Sequence, residues 1–264
     1  MTRPGKEGMK LHVMGCAGGI GGREKLTTCF RVDDDILLDA GTGVTRMEMA
    51  ELVKIDHIFL THTHLDHVIG LAFLLDSVLG KRERPVTVHA SETAIATLKV
   101  HMFNWQLWPD FAAIPNAENA ILRWAPMALE EVVEIGGGRT IQSMAVDHTV
   151  ETVSYTVRCK GEAFLFTGDM VSSPQLWQRL AQDVQLRAVI IDCSFPDAEM
   201  WLAKLSKHFC PQLLAEDIAP MPYRTRFLVT HLKPGQEDLI MQQLRAHDPE
   251  RQFTSLHGAD VFEF

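Results

Sequence analysis

The segment His62-Thr63-His64-Leu65-Asp66-His67 places four metal-ligating side chains within six residues. A short apolar run at residues 55–60 leads into it, as a buried strand would. Residues 66–79 that follow are almost uniformly apolar (Val68, Leu71, Phe73, Leu75, Val78), and their length favours a buried helix. In an extended loop leaving a strand, His62 and His64 project to one side. Asp66 and His67, at the start of the helix, turn toward a neighbouring point. That arrangement suits two adjacent divalent cations better than one. Zinc accepts imidazole nitrogen and carboxylate oxygen at about 2.0–2.2 Å, and the carboxylates also suit manganese or iron. A polar surface loop is the bland alternative, and four ligand-type side chains in one strand-end loop weigh against it.

Further ligands are expected at other strand ends, because loops at one edge of a layered fold converge. His148 follows the β-like run 140–146, Asp169 follows 163–167, and His231 follows 227–230. A lone His or Asp at one such place is usually a turn or cap residue; three of them are harder to dismiss. Strands are also read at 11–14, 28–32, 36–38, 86–89, 153–158 and 188–191. Helices are read from Ser91 and Glu92 toward Val100, and from Asp197 onward, with Trp201, Leu202, Leu205 and Phe209 at helical spacing. A last helix is read from Pro234, carrying Ile240, Met241 and Leu244 on one face. The sum is an α+β chain, a four-layer αββα sandwich, in a single domain spanning 9–264.

The formal net charge is -9, and no Lys/Arg-dense stretch exceeds Lys81-Arg82-Glu83-Arg84. A long nucleic acid partner is therefore disfavoured, whereas a small anionic substrate fits, since bound cations supply the positive charge the chain lacks. The five cysteines are odd in number, widely spaced and without CxxC, the usage of a reducing cytoplasm. The polar opening MTRPGKEGMK lacks an export signal's apolar core, and no run of about 18 apolar residues suggests a membrane span. The glycines at 18–22 do not form GxGxxG followed by a helix, so a tight loop near the metal mouth is expected there. Cys16, within it, has no neighbouring base to activate it.

HTHLDH, His148, Gly168-Asp169 and Thr230-His231 occur in the order of the metallo-β-lactamase superfamily's ligand motifs, and from Gly15 to His231 the chain resembles that superfamily. The resemblance implies one metal on His62, His64 and His148, a second on Asp66, His67 and His231, and Asp169 bridging them. It also implies that Asp39, in LLDAGTG, orients the HTHLDH loop. Within the superfamily, GCAGGIGG, LLDAGTG, HTHLDHVIGL, FNWQLWPDF, IIDCSF and THLKP resemble class II cyclic-nucleotide phosphodiesterases. That family's signature continues to a Ser followed by Ala or Pro, where this chain reads Ala72-Phe73-Leu74-Leu75-Asp76.

The implied reaction is hydrolysis of a 3′,5′-cyclic nucleotide to the 5′-monophosphate by a hydroxide bridging two metals, with Asp66 or Asp169 orienting it. The leaving-group acid is open, His101 and His257 being candidates. Asn104 and Trp108 are candidate substrate contacts, with core packing or a homodimer contact as the alternative for the aromatic stretch 101–111. Other hydrolases of the fold are the competing readings: a tRNA 3′-processing nuclease, a thioesterase or a lactonase. A non-catalytic module would be expected to have lost ligands.

Overall fold

The structure is a computed structural model that describes residues 8–264. The first seven residues of the polar MTRPGKEGMK stretch, read above as carrying no export signal, lie outside the described residues. The chain enters an antiparallel meander of β1 (Lys10–Gly15), β2 (Cys29–Val32) and β3 (Ile36–Leu38). A 3-10 turn at Thr42–Arg46 and the short α1 (Met49–Leu52) lead to β4 (His57–Phe59), α2 (Leu65–Val78), β5 (Val86–Ala90), α3 (Glu92–His101) and β6 (Leu122–Pro126). The second half opens on another meander, β7 (Val132–Gly136), β8 (Arg139–Val146) and β9 (Thr152–Cys159). It continues through β10 (Glu162–Phe166), α4 (Pro174–Leu180), β11 (Leu186–Asp192), α5 (Met200–Ser206) and α6 (Pro211–Asp217). The last elements are β12 (Arg226–Thr230), α7 (Glu237–His247), β13 (Phe253–Ser255) and β14 (Val261–Glu263).

These strands make two seven-stranded sheets, ordered β14-β1-β2-β3-β4-β5-β6 and β13-β12-β11-β10-β9-β8-β7. Each sheet is antiparallel over its meander and parallel where helices intervene, as the length of a crossover requires. Alternation along the strands sorts three cores. Ile36 and Leu38 of β3 and Phe164 and Phe166 of β10 meet between the sheets. Leu37 faces outward to α2 and its neighbours, and Ala163 and Leu165 face outward to α4, α6 and α7. The layers are thus helix, sheet, sheet, helix. Among the described residues no helix is long and apolar enough to cross a membrane.

Two polar contacts lock the sheets together. Arg139 of β8 forks onto Asp35 at 2.6 and 2.7 Å and reaches Asp33 at 3.0 Å, the strong bidentate geometry of guanidinium and carboxylate. Tyr155 of β9, fully buried, donates to the Leu60 carbonyl at 2.8 Å, just ahead of the HTHLDH loop. Gly70 of α2 lets the helix dock on the turn after β3; a Cβ there would lie 2.3 Å from the Gly41 oxygen.

Some elements differ from the sequence expectation. The helix read from Asp197 is α5, preceded by a 3-10 turn, and it ends where Lys207 turns left-handed at φ 53°. Its Trp201 and Leu205 face solvent at 66% and 70% exposure, and Phe209 lies beyond it in the outer core. The last helix starts at Glu237, because Pro234 and Gly235 are spent on the preceding turn.

The inner core also holds a histidine pair. His57 Nδ1 lies 3.0 Å from His89 Nε2, and the His89 ring stacks on Phe59 at 4.2 Å. Burial, and then the neighbouring His57, push the His89 pKa down from 6.5 to about 4. The unfolded chain takes up this proton below about pH 6.5 and the folded chain only near pH 4. This contribution to stability is therefore complete above pH 6.5 and is lost as the pH falls toward 4, by about 3 kcal/mol in all. His89→Gln should flatten the fall in urea midpoint between pH 7 and 4.5. Identical slopes for the two proteins would show that the pair does not govern acid stability.

Candidate metal centre

Asp39 sits just beyond β3 with a left-handed backbone, φ 56°, and no solvent exposure. A buried carboxylate needs hydrogen bonds on both oxygens, and here they come from the HTHLDH segment. Oδ1 accepts the Thr61 amide at 2.7 Å; Oδ2 accepts the Thr61 hydroxyl at 2.8 Å and His67 Nδ1 at 2.7 Å. Since the Thr61 hydroxyl gives its proton to Asp39, it accepts from His62 Nδ1 at 2.9 Å. Both imidazoles therefore point Nε2 away from Asp39 and into the cluster.

The second sheet repeats the device. Asp192, the last residue of β11, accepts His208 Nδ1 at 2.7 Å and the Ser194 hydroxyl at 2.8 Å. Ser194 Oγ is in turn 2.9 Å from His231 Nδ1. His231 follows β12 with φ 61°, its amide held by the Cys16 carbonyl at 2.8 Å. His148, after β8, donates Nδ1 to the carbonyl of left-handed Lys207 at 3.0 Å. His64 is turned the other way and presents Nδ1, at 3.0 Å from His62 Nε2 and 3.3 Å from His148 Nε2.

The ring nitrogens and carboxylates converge as two adjoining sets that share one residue. His62, His64, His148 and Asp169 form one, and Asp66, His67, Asp169 and His231 the other, with the ligating atoms of each within 4.8 Å of one another. Asp169 Oδ2 lies 3.2 Å from both His67 and His231 Nε2 and 3.8 Å from His62 Nε2. Gly168 puts it there: its φ of 63° and its contact with Thr61, whose side chain would lie 2.9 Å from an added Cβ, leave no room for another residue.

The electrostatics match a cation site. Burial, joined by the neighbouring His67, holds His62 well below its usual pKa. Burial also disfavours the Asp169 carboxylate, but His231 and His67 outweigh it and hold Asp169 well below the usual range. His67 is raised despite its burial, by Asp169 and Asp39. Its Nε2 is fully buried and has no hydrogen-bond partner. With their Nδ1 atoms committed as donors, His62 and His148 have only lone pairs to aim inward, and His67 aims Nε2 at Asp169, where a bound cation would take the place of a proton. Lone pairs converging on shared carboxylates fit divalent metal ions.

The structure thus brings together all seven residues singled out as ligands, with Asp39 behind them. It also adds Asp192, which directly follows the run read at 188–191 and was open to the same strand-end reading, together with Ser194 and His208, which no strand end marks. Neither histidine considered for proton donation belongs to the ligand sets: His101 is exposed at the end of α3, and His257 occupies an exposed turn beside Asp260. Asn104 is spent on its own turn, giving Nδ2 to the Val100 carbonyl and taking the amides of Gln106 and Leu107. Trp108 packs edge to face on Phe73 and against the helix-side core, the packing role rather than a free aromatic face. The loop at 15–22 packs against the His231 strand end, Gly18 donating to the Leu232 carbonyl at 3.0 Å. Burial pushes the Cys16 thiol in it up to about 12.

Two mixed sheets with a His/Asp centre at one edge define a metal-dependent hydrolase fold. The chain belongs to the Beta-lactamase superfamily, whose domain profile matches residues 34–251. Among its relatives is a probable 3′,5′-cyclic-nucleotide phosphodiesterase of Yersinia pestis, 26% identical over 242 residues, or 80% of this chain and 68% of the relative. A 3′,5′-cyclic-nucleotide phosphodiesterase of Schizosaccharomyces pombe is 27% identical over 232 residues, covering 73% of this chain and 63% of its own length. A ribonuclease Z of Haloarcula marismortui is 33% identical over a shorter stretch, 87 residues, or 31% of this chain and 28% of its own. The crystal structure of unliganded yeast PDE1 shares the fold with a TM-score of 0.84 and 18% identity, over 97% of this chain and 99% of that one.

Because Asp39 sets the orientation of two imidazoles at once, Asp39→Ala should lower affinity for divalent zinc by roughly 10–100-fold. Competition against a chromogenic chelator measures this, and affinity equal to the parent would contradict the orienting role.

Proposed function

We propose that the chain is a two-metal phosphodiesterase acting on 3′,5′-cyclic nucleotides and releasing the 5′-monophosphate. The observation that carries this reading is Asp169, one carboxylate shared between two ligand sets at 3.2 and 3.8 Å. Such a bridge is the arrangement that suits paired cations about 3.5–4 Å apart, which clamp a phosphodiester. Five imidazoles and two carboxylates favour zinc, with manganese or iron as alternatives. Once bound, the pair would supply Lewis acidity toward the phosphoryl oxygens and an activated water.

The remaining steps fall to the chain's own side chains. Asp66 and Asp169, both held as carboxylates by the neighbouring histidines, orient the attacking water. His208 stands at the rim of the cluster, its ring 5.0 Å from those of His148 and His231. Burial works against its charge, but Asp192 raises its pKa above the ordinary value. With Nδ1 given to Asp192, Nε2 carries the proton available to the departing 3′ oxygen, the role of a general acid. The acidic balance of the chain favours a small phosphodiester over a long polynucleotide, because grip on a nucleic acid backbone depends on basic residues.

The direct test is metal analysis of the purified protein with assays on cyclic AMP and cyclic GMP, beside bis-p-nitrophenyl phosphate, S-lactoylglutathione and a tRNA precursor. Hydrolysis of the cyclic nucleotides is expected; cleavage of only the thioester or the RNA would replace this reading with another of the same fold. Asp169→Ala should lose metal and activity together, and turnover like the parent's would refute the shared bridge.

His208→Ala should lower kcat on cyclic nucleotides by about 10²–10⁴-fold. The effect should be much smaller on bis-p-nitrophenyl phosphate, whose leaving group departs without a proton. An equal loss on both substrates would remove His208 from the acid role.

A further inference from the structure

We propose that Ser194 is a positioning residue that fixes the tautomer of His231 and thereby keeps the second metal position, built by Asp66, His67 and His231, able to bind. The inference rests on the two-metal reading above and adds a residue to it.

Ser194 and Asp192 are both without solvent exposure, so each polar atom must find its partner inside the protein. The Ser194 hydroxyl has one proton and gives it to Asp192 Oδ1 at 2.8 Å. At 2.9 Å from His231 Nδ1, the same oxygen can then only accept. The His231 proton is thereby held on Nδ1, and Nε2 keeps a lone pair, 3.1 Å from Asp66 Oδ2 and 3.2 Å from Asp169 Oδ2.

Without that acceptor, His231 has a better arrangement in the metal-free protein. The proton would move to Nε2, which would donate to Asp66 at the 3.1 Å already present. His231 would then be a hydrogen-bond donor to that carboxylate and no longer a ligand. The other set shares Asp169 with this one, but its imidazoles are held independently of the change. His62 is oriented by Thr61 and His148 by the Lys207 carbonyl, neither of which touches Ser194. The damage is therefore confined to one of two positions, which a general loss of folding would not produce. Thr61 makes the corresponding relay from Asp39 to His62, so a hydroxyl is used for one purpose in each sheet.

Ser194→Ala and Ser194→Thr provide the test, read by zinc stoichiometry after dialysis against graded chelator and by the visible absorption of the cobalt-substituted protein. Ser194→Ala should retain one tightly held metal per chain and bind the other roughly 10–100-fold more weakly, with the cobalt bands of one position lost. Ser194→Thr, which keeps the hydroxyl, should hold both, and thermal melts establish that each variant is folded. Added metal should restore the activity of Ser194→Ala but not that of His208→Ala, because the 2.7 Å bond from His208 to Asp192 does not pass through Ser194. Two metals at parental affinity in Ser194→Ala would overturn the proposal. So would equal losses in a folded Ser194→Thr, or an activity defect that metal does not reverse. The metal stoichiometry and cobalt spectra need no assumption about the substrate, so failure of the cyclic-nucleotide reading is seen separately, in the parent protein.

Discussion

Burying a carboxylate costs several kcal/mol unless it is hydrogen-bonded, and this structure buries one at a strand end of each sheet. Asp39 and Asp192 have no solvent exposure and are affordable only because they are saturated by imidazole, hydroxyl and amide donors. That requirement runs in both directions. The carboxylates need the histidines and hydroxyls to remain buried, and the histidines take their orientation from the carboxylates. Asp39 reaches His67 directly and His62 through Thr61; Asp192 reaches His208 directly and His231 through Ser194. Four imidazoles are thus set by two acids.

The left-handed backbones at the site follow from the same demand. Asp39 and His231 both adopt positive φ, a conformation Asp and His visit more readily than most residues. Each turns the chain sharply at a strand end, so that the side chain enters the centre while the backbone leaves it. The strain is held by neighbouring hydrogen bonds, the Asp39 amide to the Phe59 carbonyl and the His231 amide to that of Cys16. Strain maintained in this way is common where a site must be preorganised.

Much of this was legible in the sequence because strand ends leave a mark. The apolar runs before His62, Asp169 and His231 stop abruptly at a polar residue, and the layered fold brings such stops to one edge. His208 left no comparable mark. It follows a seven-residue helix, α5, whose apolar Trp201 and Leu205 face solvent, and it enters the centre only because Lys207 turns left-handed. Edge strands were equally quiet: β7 is half exposed along its length, and β13 and β14 have three residues each. Their place is set by pairing with a neighbour, which local pattern does not record. Asn104 and Trp108 drew notice as an unusual aromatic stretch, but sequence composition does not distinguish an aromatic that packs from one that waits for a ligand.

The two ligand sets are not divided between the sheets. His62 and His64 come from the first sheet and are completed by His148 from the second. Asp66 and His67 come from the first and are completed by His231 from the second, while Asp169, also from the second, joins both. Each set is therefore whole only when the inner faces of the sheets are in register. The packing of Phe30 on Phe166 at 5.1 Å, the Arg139 fork and the Tyr155 bond to Leu60 hold that register from within. A cation bound across the edge would hold it from outside, and because it would bind the assembled sheets and not the separated ones, its affinity would add to the stability of the fold. The geometry of the candidate metal centre and the joining of the two halves are, in this chain, one constraint met at one place.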